Sequence, residues 1–476
     1  MDGLDLNSVG GISRRGFLGG ICAACGGLVF PARAFEQKRP DMSFGVISDI
    51  HISRLWNQEV HLEKALRWFD TQKVDAVMVP GDIAHSGLIS ELKTFAEIWN
   101  RVFPNNHASD GRSVEKLFVT GNHDLDAWWV KGDADWRIKN VINHADNPSR
   151  LWEQLFNEEW KLIWKKVVKG YTFVGAQWPT KTVKPQIETW FKEHAKELHG
   201  SKPFFYTQHA HPRGTCGDAK ISYDDGTATR ALASFANAVA ITGHSHQTVT
   251  DDSSVWQGAF TSINAGCLRA GANDRSGYDS TYPFYSAKKK LNRMKPLAGE
   301  EGRCGLLVDV YEDHLVVHRR SFEYDCPLGE DWCVMLPSAE KGPFSPERQR
   351  SSAIGPDFMA GARLEVVRCA VAPVAIAGPA LAGKPCIHLR IPHPHTVKPG
   401  SRVYDFVVEL QVDGKTVLRR LILANGYNVP EDKANRETNC LFGIEEIPQV
   451  GEVRFLVTPR TSWGVAGRTL ASEILG

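Results

Sequence analysis

This 476-residue chain contains several polar motifs, each directly after a short apolar, β-rich run. This pattern constrains the possible folds more than any other feature of the sequence. Between Ser43 and Asp325 such runs alternate with segments whose apolar residues recur at helical spacing. This alternation is typical of an α/β core. In such cores the carboxyl ends of neighbouring strands converge on one crevice, so we expect the polar motifs to meet there.

Five motifs carry acidic, amide and histidine side chains, and each follows an apolar run. They are Asp49-Ile50-His51, Gly81-Asp82, Gly121-Asn122-His123-Asp124, His209 and Gly243-His244-Ser245-His246. Taken singly, Asp49 and Asp82 could be helix-capping or turn residues, and the histidines could be surface or core residues. Together, the carboxylate, imidazole and amide groups suit divalent Mn, Fe, Zn or Co. If Asp82 is shared, the candidate ligands divide into two sets of four, which predicts a two-metal hydrolytic site.

In order and spacing these motifs resemble the calcineurin-like metallophosphoesterase family, over roughly residues 43–325. The resemblance implies a metallophosphoesterase fold, a pair of facing β-sheets flanked by helices. It also implies an enzyme that hydrolyses phosphomonoesters or phosphodiesters by attack of a metal-bound hydroxide, with two divalent metal ions as cofactor. By match to the family, the metal ligands are Asp49, His51 and His246 at one ion, Asn122, His209 and His244 at the other, and Asp82 at both.

The resemblance also assigns residues beside the metals. His123 is implied as the general acid, with Asp124 orienting it; Asp124 could also cap a helix, and both roles could coexist. Ala210 stands where the family usually has a histidine two residues before proline, so both His209 and His211 remain ligand candidates. We take His209 as the ligand because it comes first after a strand, and expect His211 and Arg213 to contact substrate.

Another departure from the family pattern follows Asp82. His85 lies three residues after it, where purple acid phosphatases have a tyrosine ligand, and we leave His85 outside the ligand set. We expect its side chain to lie behind the ligands or to face solvent.

The first 34 residues have the pattern of an export signal. Ser13-Arg14-Arg15-Gly16-Phe17-Leu18 resembles a twin-arginine motif, and Ala32-Arg33-Ala34 is a small-x-small cleavage pattern. The weakly polar stretch between them is about 15 residues long, short of the roughly 20 that span a bilayer. We therefore expect cleavage after Ala34, contact with the export machinery, and a periplasmic or secreted mature protein. In an oxidising compartment Cys326 with Cys333, or Cys369 with Cys386, could form disulfides.

Three further segments differ from the α/β pattern. Residues 126–169 form a Trp-rich insertion, which we interpret as a structural cap in preference to a ligand-stacking surface. Residues 326–362 are rich in Pro, Ser and Gly, which predicts a linker. Residues 363–476 contain strand patterns alone, and predict a C-terminal all-β sandwich domain.

Charge composition narrows the choice of partner. Lys plus Arg total 56 and Asp plus Glu total 55, without a long basic run, so we expect a small phosphate-ester substrate and no nucleic-acid-binding surface. Two alternatives are a catalytically inactive metal-binding scaffold and a surface- or carbohydrate-binding protein acting through the C-terminal sandwich. The intact ligand set argues against the first alternative. Against the second, residues 363–476 show only scattered aromatic residues.

Overall fold

The computed structural model describes most of the chain beyond the predicted export signal. The described residues are 39–53, 58–125, 130–142, 148–178, 183–216, 224–269, 303–338, 342–374, 377, 381–396, 402–427, 429–433 and 437–475. Residues 1–34 lie outside this set. Among the described helices, none combines the length and the apolar character needed to cross a membrane.

Seven strands of the described residues form the first sheet. They are β1 (Met42–Val46), β2 (Ala76–Pro80), β3 (Glu115–Val119), β10 (Cys304–Val310), β11 (His314–Ser321), β12 (Cys326–Pro327) and β13 (Trp332–Met335). The strand order is β12-β11-β10-β1-β2-β3, and β13 pairs with β11. Strands β1, β2 and β3 are parallel, so the loops that follow them leave the sheet at one edge.

The second sheet contains six strands within the part of the chain that the structure describes. They are β4 (Ile163–Val168), β5 (Tyr171–Ala176), β6 (Phe204–Thr207), β7 (Ala238–Thr242), β8 (Val255–Gln257) and β9 (Thr261–Asn264). The order is β4-β5-β6-β7-β9-β8, with β5, β6, β7 and β9 parallel. Loops after β6 and β7 therefore also leave at a common edge.

The two sheets pack face to face through large apolar side chains. Phe44 of β1 meets Phe173 of β5 and Phe205 of β6 edge-on, with ring centroids 5.4 and 5.0 Å apart. All three rings are buried. Burial of apolar surface between the sheets supplies most of the favourable free energy that holds two such layers together.

Eight α-helices are described. They are α1 (Gln58–Thr71), α2 (Ile89–Val102), α3 (Asn122–Leu125), α4 (Ala134–Asn140), α5 (Pro148–Phe156), α6 (Lys184–Leu198), α7 (Thr227–Leu232) and α8 (Pro346–Ser352). Helices α1, α2 and α5 pack on the outer face of the first sheet, and α6 and α7 on that of the second. Two facing sheets flanked by helices are the predicted metallophosphoesterase architecture, which is thereby confirmed.

The C-terminal region consists of two antiparallel sheets. Their strands are β14 (Glu365–Cys369), β15 (Cys386–Pro392) and β18 (Glu437–Gly443) in one, and β16 (Asp405–Val412), β17 (Lys415–Leu423), β19 (Val453–Arg460) and β20 (Leu470–Ala471) in the other. The sheets share one buried core, in which Phe442 packs on Phe455 with ring centroids 4.8 Å apart. The predicted all-β sandwich is confirmed.

The segment 326–362, predicted as a linker, instead contributes two short strands to the first sheet and one helix. It supplies β12, β13 and α8. Trp332 and Val334 of β13 are buried in the core between the sheets. The residues of β13 are alternately buried and exposed, as in a strand with one face on the core. The linker prediction relied on the Pro, Ser and Gly content of the whole segment and missed this short strand.

The structure describes parts of the Trp-rich insertion and eight of the cysteines. In the insertion, Trp152 of α5 is buried and packs against Trp160, with ring centroids 5.3 Å apart. The eight described cysteines are free thiols. Cys369 and Cys386 nevertheless lie opposite each other in the β14–β15 pair.

Candidate metal centre

The sequence motifs meet at one edge of the two facing sheets. Loops after β1 and β2 carry Asp49 and Asp82, and Asn122 begins α3 just after β3. Loops after β6 and β7 carry His209 and His244. The amide of His244 donates to both carboxylate oxygens of Asp49, over 3.1 and 3.0 Å, and so joins the two sheets at this edge.

An uncommon backbone conformation orients these side chains. The angle φ is positive at Asp49 (51°), His51 (52°), Asp82 (53°), His244 (71°) and His246 (52°). Non-glycine residues seldom adopt this left-handed region, and such strain is concentrated at functional sites. The surrounding packing must therefore stabilise the backbone at all five residues. It thereby holds their side chains in fixed positions that face one another.

Two glycines let the loops approach closely. A Cβ atom at Gly121 would overlap Oδ1 and the main-chain nitrogen of Asp82. A Cβ atom at Gly243 would overlap Oγ of Ser48 and Oδ2 of Asp49. At these positions the glycine that begins each motif provides the space in which a carboxylate lies.

The first cluster of potential ligands contains Asp49, His51, Asp82 and His246. One donor atom from each lies within 4.8 Å of the others. Nε2 of His246 lies 3.1 Å from Oδ1 of Asp49 and 3.1 Å from Nε2 of His51. Nε2 of His51 lies 3.5 Å from Oδ2 of Asp82. The donor atoms thus converge on a common point, as ligands of one ion do.

The second cluster contains Asp82, His209 and His244. Nε2 of His209 lies 3.1 Å from Oδ2 of Asp82 and 3.1 Å from Nδ1 of His244. Oδ2 of Asp82 therefore faces both clusters. Among the described residues, Oδ1 of Asn122 is buried without a hydrogen-bond partner. A buried acceptor of this kind is costly unless something binds it, so it fits the predicted fourth ligand.

Main-chain contacts set the tautomer of His209. Its Nδ1 lies 2.7 Å from the carbonyl oxygen of Pro80. A carbonyl can only accept, so Nδ1 carries a proton, and Nε2 is the nitrogen that faces Asp82 and would bind a metal ion after losing its own proton. This arrangement, a ligating histidine held by a backbone carbonyl, is typical of metal sites.

The charged groups around the site keep the Asp49 carboxyl ionised and keep a proton on His209 that a metal ion could displace. Burial opposes ionisation of Asp49, but His246 and His209 outweigh burial and hold the pKa of this carboxyl below its usual range. Burial also disfavours a charged His209, yet the charges of Asp82 and Asp49 raise its pKa to about 9. Burial, with the charge of His209, lowers the pKa of His244 to about 3. A metal ion would replace the proton on His209 and satisfy the same carboxylates.

His123 lies beside the ligands and outside the two clusters that contain carboxylates. Its Nδ1 is 2.7 Å from the carbonyl oxygen of His85, and its ring meets His51 edge-on at 4.4 Å between centroids. The carboxylate of Asp124, expected to orient His123, has other partners. It accepts from the amides of Ala84 and Gly121, both over 2.8 Å. The carbonyl of His85 provides the orienting contact, and Asp124 ties together two loops of the site.

His85 lies directly beside the predicted ligand His51. Its Nδ1 lies 3.3 Å from Nδ1 of His51, and its ring stacks on His123 at 5.2 Å between centroids. His51, His85 and His123 form a third group whose ring nitrogens lie within 4.8 Å of one another. The only signal in the sequence was the position of His85, three residues after Asp82.

Of the two histidines after β6, His209 lies in a ligand cluster and His211 does not. His211 is buried, with Nδ1 2.6 Å from Oγ1 of Thr242 and Nε2 2.8 Å from Oγ of Ser245. Both ring nitrogens are thus engaged within the protein, where they support the loop that carries His244. Arg213 is exposed, and its main-chain amide donates to Asp224 over 2.7 Å. A substrate contact by Arg213 stays a prediction.

Two neighbours of the site were not among the predicted residues. Trp178, which follows β5, packs against the rings of His209 and His244, at 5.7 Å between centroids in each case. The amide of Arg269 donates to the carbonyl oxygen of Asp49 over 3.0 Å. The charge of Arg269 contributes, after burial and the charge of His123, to lowering the pKa of His85 to about 4. Neither residue belongs to a motif, so its placement depends on the fold.

Known proteins match parts of this chain. A curated protein from Ruthia magnifica subsp. Calyptogena magnifica, named "Probable cyclic nucleotide phosphodiesterase", is 33% identical over 89 residues, which are 18% of this chain and 34% of that protein. The chain thus spans about a third of that relative's length. Among solved structures, a dimetal phosphatase from Danio rerio has 13% identity, a TM-score of 0.35 and coverage of 62% of this chain and 99% of its own. A purple acid phosphatase from yellow lupin has 10% identity, a TM-score of 0.39 and coverage of 62% and 53%.

A family model gives the most direct assignment. The model described as calcineurin-like phosphoesterase matches residues 42–248. This match includes all five motifs, from Asp49 to His246, while strands β8 to β13 of the two facing sheets lie beyond it. Over residues 42–248, this chain is similar to the calcineurin-like phosphoesterase family, as its sequence motifs predicted.

Proposed function

We propose that the mature protein hydrolyses phosphomonoesters or phosphodiesters at a two-metal site. The observation that carries this proposal is the position of Oδ2 of Asp82, 3.1 Å from Nε2 of His209 and 3.5 Å from Nε2 of His51. One carboxylate oxygen that faces both ligand clusters is what a bridging ligand requires. Oxygen and nitrogen donors, with the buried Oδ1 of Asn122, fit Mn, Fe, Zn or Co.

The protein side chains divide the chemical work. The two ions, when bound, would neutralise phosphate oxygens and provide a deprotonated water at neutral pH. His123 supplies the proton for the leaving oxygen. Because its Nδ1 donates to the carbonyl of His85, Nε2 is the atom from which a protonated ring gives up that proton.

Phosphodiesters are the substrates to test first. The curated relative that matches 89 residues is named a probable cyclic nucleotide phosphodiesterase, which supports this choice. We would assay the metal-reconstituted mature chain on bis-p-nitrophenyl phosphate, p-nitrophenyl phosphate and a cyclic nucleotide. Preference for the first and third compounds supports a diesterase, and preference for the second a monoesterase.

Metal content in the same preparation tests the proposal itself. We expect about two ions per chain together with turnover. A folded protein that binds two ions without turnover on any ester would contradict the enzymatic proposal and favour a scaffold. A folded protein that binds no ion after reconstitution would contradict the metal site as well.

We further propose that the protein is exported in folded form by a twin-arginine route. The motif Ser13-Arg14-Arg15-Gly16-Phe17-Leu18 and the cleavage pattern ending at Ala34 support this proposal. Cell fractionation should find the shortened chain outside the cytoplasm, and a double Arg14→Lys, Arg15→Lys variant should remain inside at full length. Equal export of the variant would contradict a twin-arginine route.

A further inference from the structure

The segment that follows ligand His246 is irregular and buried. Val249 is 0% exposed and Asp251 is 1% exposed, although residues 247–251 contain no strand or helix. A buried loop must find partners for its polar groups, because each unsatisfied group is costly. The partners of this ligand-loop segment, residues 247–251, therefore determine how firmly the preceding ligands His244 and His246 are held.

Part of this support comes from the α/β core. Nδ2 of Asn264 donates to the carbonyl oxygen of Gln247 over 2.9 Å. One guanidinium nitrogen of Arg319, on β11, donates to the carbonyl oxygens of Val249 and Thr250 over 3.1 and 3.2 Å. These contacts join the ligand-loop segment to both facing sheets.

The remaining support comes from the C-terminal sandwich. Oγ1 of Thr250 donates to the carbonyl oxygen of Tyr427 over 2.6 Å. Oγ of Ser462 donates to Oδ1 of Asp251 over 3.0 Å. Tyr427 follows β17 and Ser462 follows β19, so two separate turns of the sandwich reach the same segment. All four residues are buried, so these hydrogen bonds are shielded from bulk solvent.

A buried positive charge lies at the same junction. Arg402 of the sandwich is buried and donates to the carbonyl oxygens of Gly426 and Val429. Burial lowers the pKa of the Arg402 guanidinium, and the charges of Glu431 and Asp251 oppose this shift. Polar networks of this kind specify one geometry, since a small displacement leaves charges and hydrogen-bonding groups unpaired.

We propose that the C-terminal sandwich holds the metal-ligand loop in place. Thr250 and Ser462 are positioning residues that act through the ligand-loop segment on His244 and His246, and the sandwich thereby sets metal affinity. This inference rests on the proposed two-metal site. The C-terminal domain thereby has a role at the metal centre that the amino-acid composition of this domain did not indicate.

Matched variants separate positioning from packing. Thr250→Val removes the hydroxyl at nearly constant volume, whereas Thr250→Ser retains it, and Ser462→Ala removes the donor on the opposite side. Thr458→Val is the control inside the sandwich, since its Oγ1 pairs with Oγ1 of Thr469 at 2.7 Å. The measurements are metal dissociation constants for Mn by chelator competition, and hydrogen exchange of peptides covering 243–251 in the metal-free protein.

We expect Thr250→Val and Ser462→Ala to accelerate exchange across 243–251 and to weaken Mn binding about 3- to 10-fold, as loss of a buried supporting hydrogen bond would. Thr250→Ser and Thr458→Val should match the wild type in both measurements. Unchanged exchange and affinity in Thr250→Val and Ser462→Ala, even with a lower melting temperature, would overturn the inference. Should the wild type bind no metal, the proposed function fails, and the exchange measurements still test whether the sandwich holds the loop.

Discussion

The main-chain amide of His123 donates to Oδ1 of Asp82 over 2.9 Å. The other oxygen of the same carboxylate faces His51 and His209. Asp82 therefore connects both ligand clusters to the backbone of the proposed acid. Its side chain and that of His123 have separable tasks, because only the main chain of His123 takes part in this contact.

Replacing Asp82 should empty both metal positions. In Asp82→Asn the shared oxygen loses its charge, so both ions lose an anionic ligand, and we expect less than about one-tenth of wild-type metal content and turnover. Elemental analysis after gel filtration measures the loss. Asp110→Asn, at an exposed carboxylate, is the control. Retention of one tightly bound ion would show that Asp82 serves one cluster alone.

Replacing His123 should spare the metals and slow the chemistry. We expect His123→Asn to retain two ions per chain and to lose about 10²- to 10⁴-fold in kcat, as for a missing general acid. The loss should be larger for phenyl phosphate than for p-nitrophenyl phosphate, because the poorer leaving group depends more on the proton. His107→Asn, at an exposed histidine, is the control. An empty metal site in His123→Asn would refute this assignment.

Filling the space at Gly243 should displace Asp49. The backbone there lies outside the left-handed region, so glycine is required for space alone. A methyl group would overlap Oδ2 of Asp49, and we expect Gly243→Ala to weaken metal binding on the order of 10-fold or more. Gly200→Ala is the matched control, because its nearest atom would be 4.0 Å away. Equal dissociation constants for the two variants would contradict the steric argument.

His318 should make stability depend on pH. Partial burial disfavours a charged ring, but hydrogen bonds to Asp309 and Asp331 raise the pKa of His318 to about 9. Because an unperturbed histidine has a pKa of about 6.5, this stabilisation is complete below about pH 6.5 and is lost as pH rises through about 9. The difference in free energy of unfolding between wild type and His318→Gln should therefore shrink from pH 6 to pH 10. Urea denaturation measures it, with His107→Gln as control, and a difference that grows with pH would contradict the prediction.

Local patterns were sufficient for the architecture and for most of the ligand set. The apolar run at Phe44 predicts a buried strand, and a motif such as Asp49-Ile50-His51 directly after it predicts side chains at a strand end. These inferences need only short-range periodicity and the rule that parallel strands end at a common edge. The same local reasoning misjudged 326–362, because a short strand such as β13 is identified by what it packs against.

Within the site, the sequence by itself determined which chemical groups are available and which loops carry them. Tertiary structure decided their partners: Nε2 of His209 faces Asp82, while both nitrogens of His211 are engaged by Thr242 and Ser245. It also placed Thr250 against Tyr427, 177 residues later in the chain. The chemistry of a motif depends on residues that are adjacent in the chain, so it can be predicted from the sequence. The partner of a buried polar atom depends on how whole layers pack, which is a property of the folded chain.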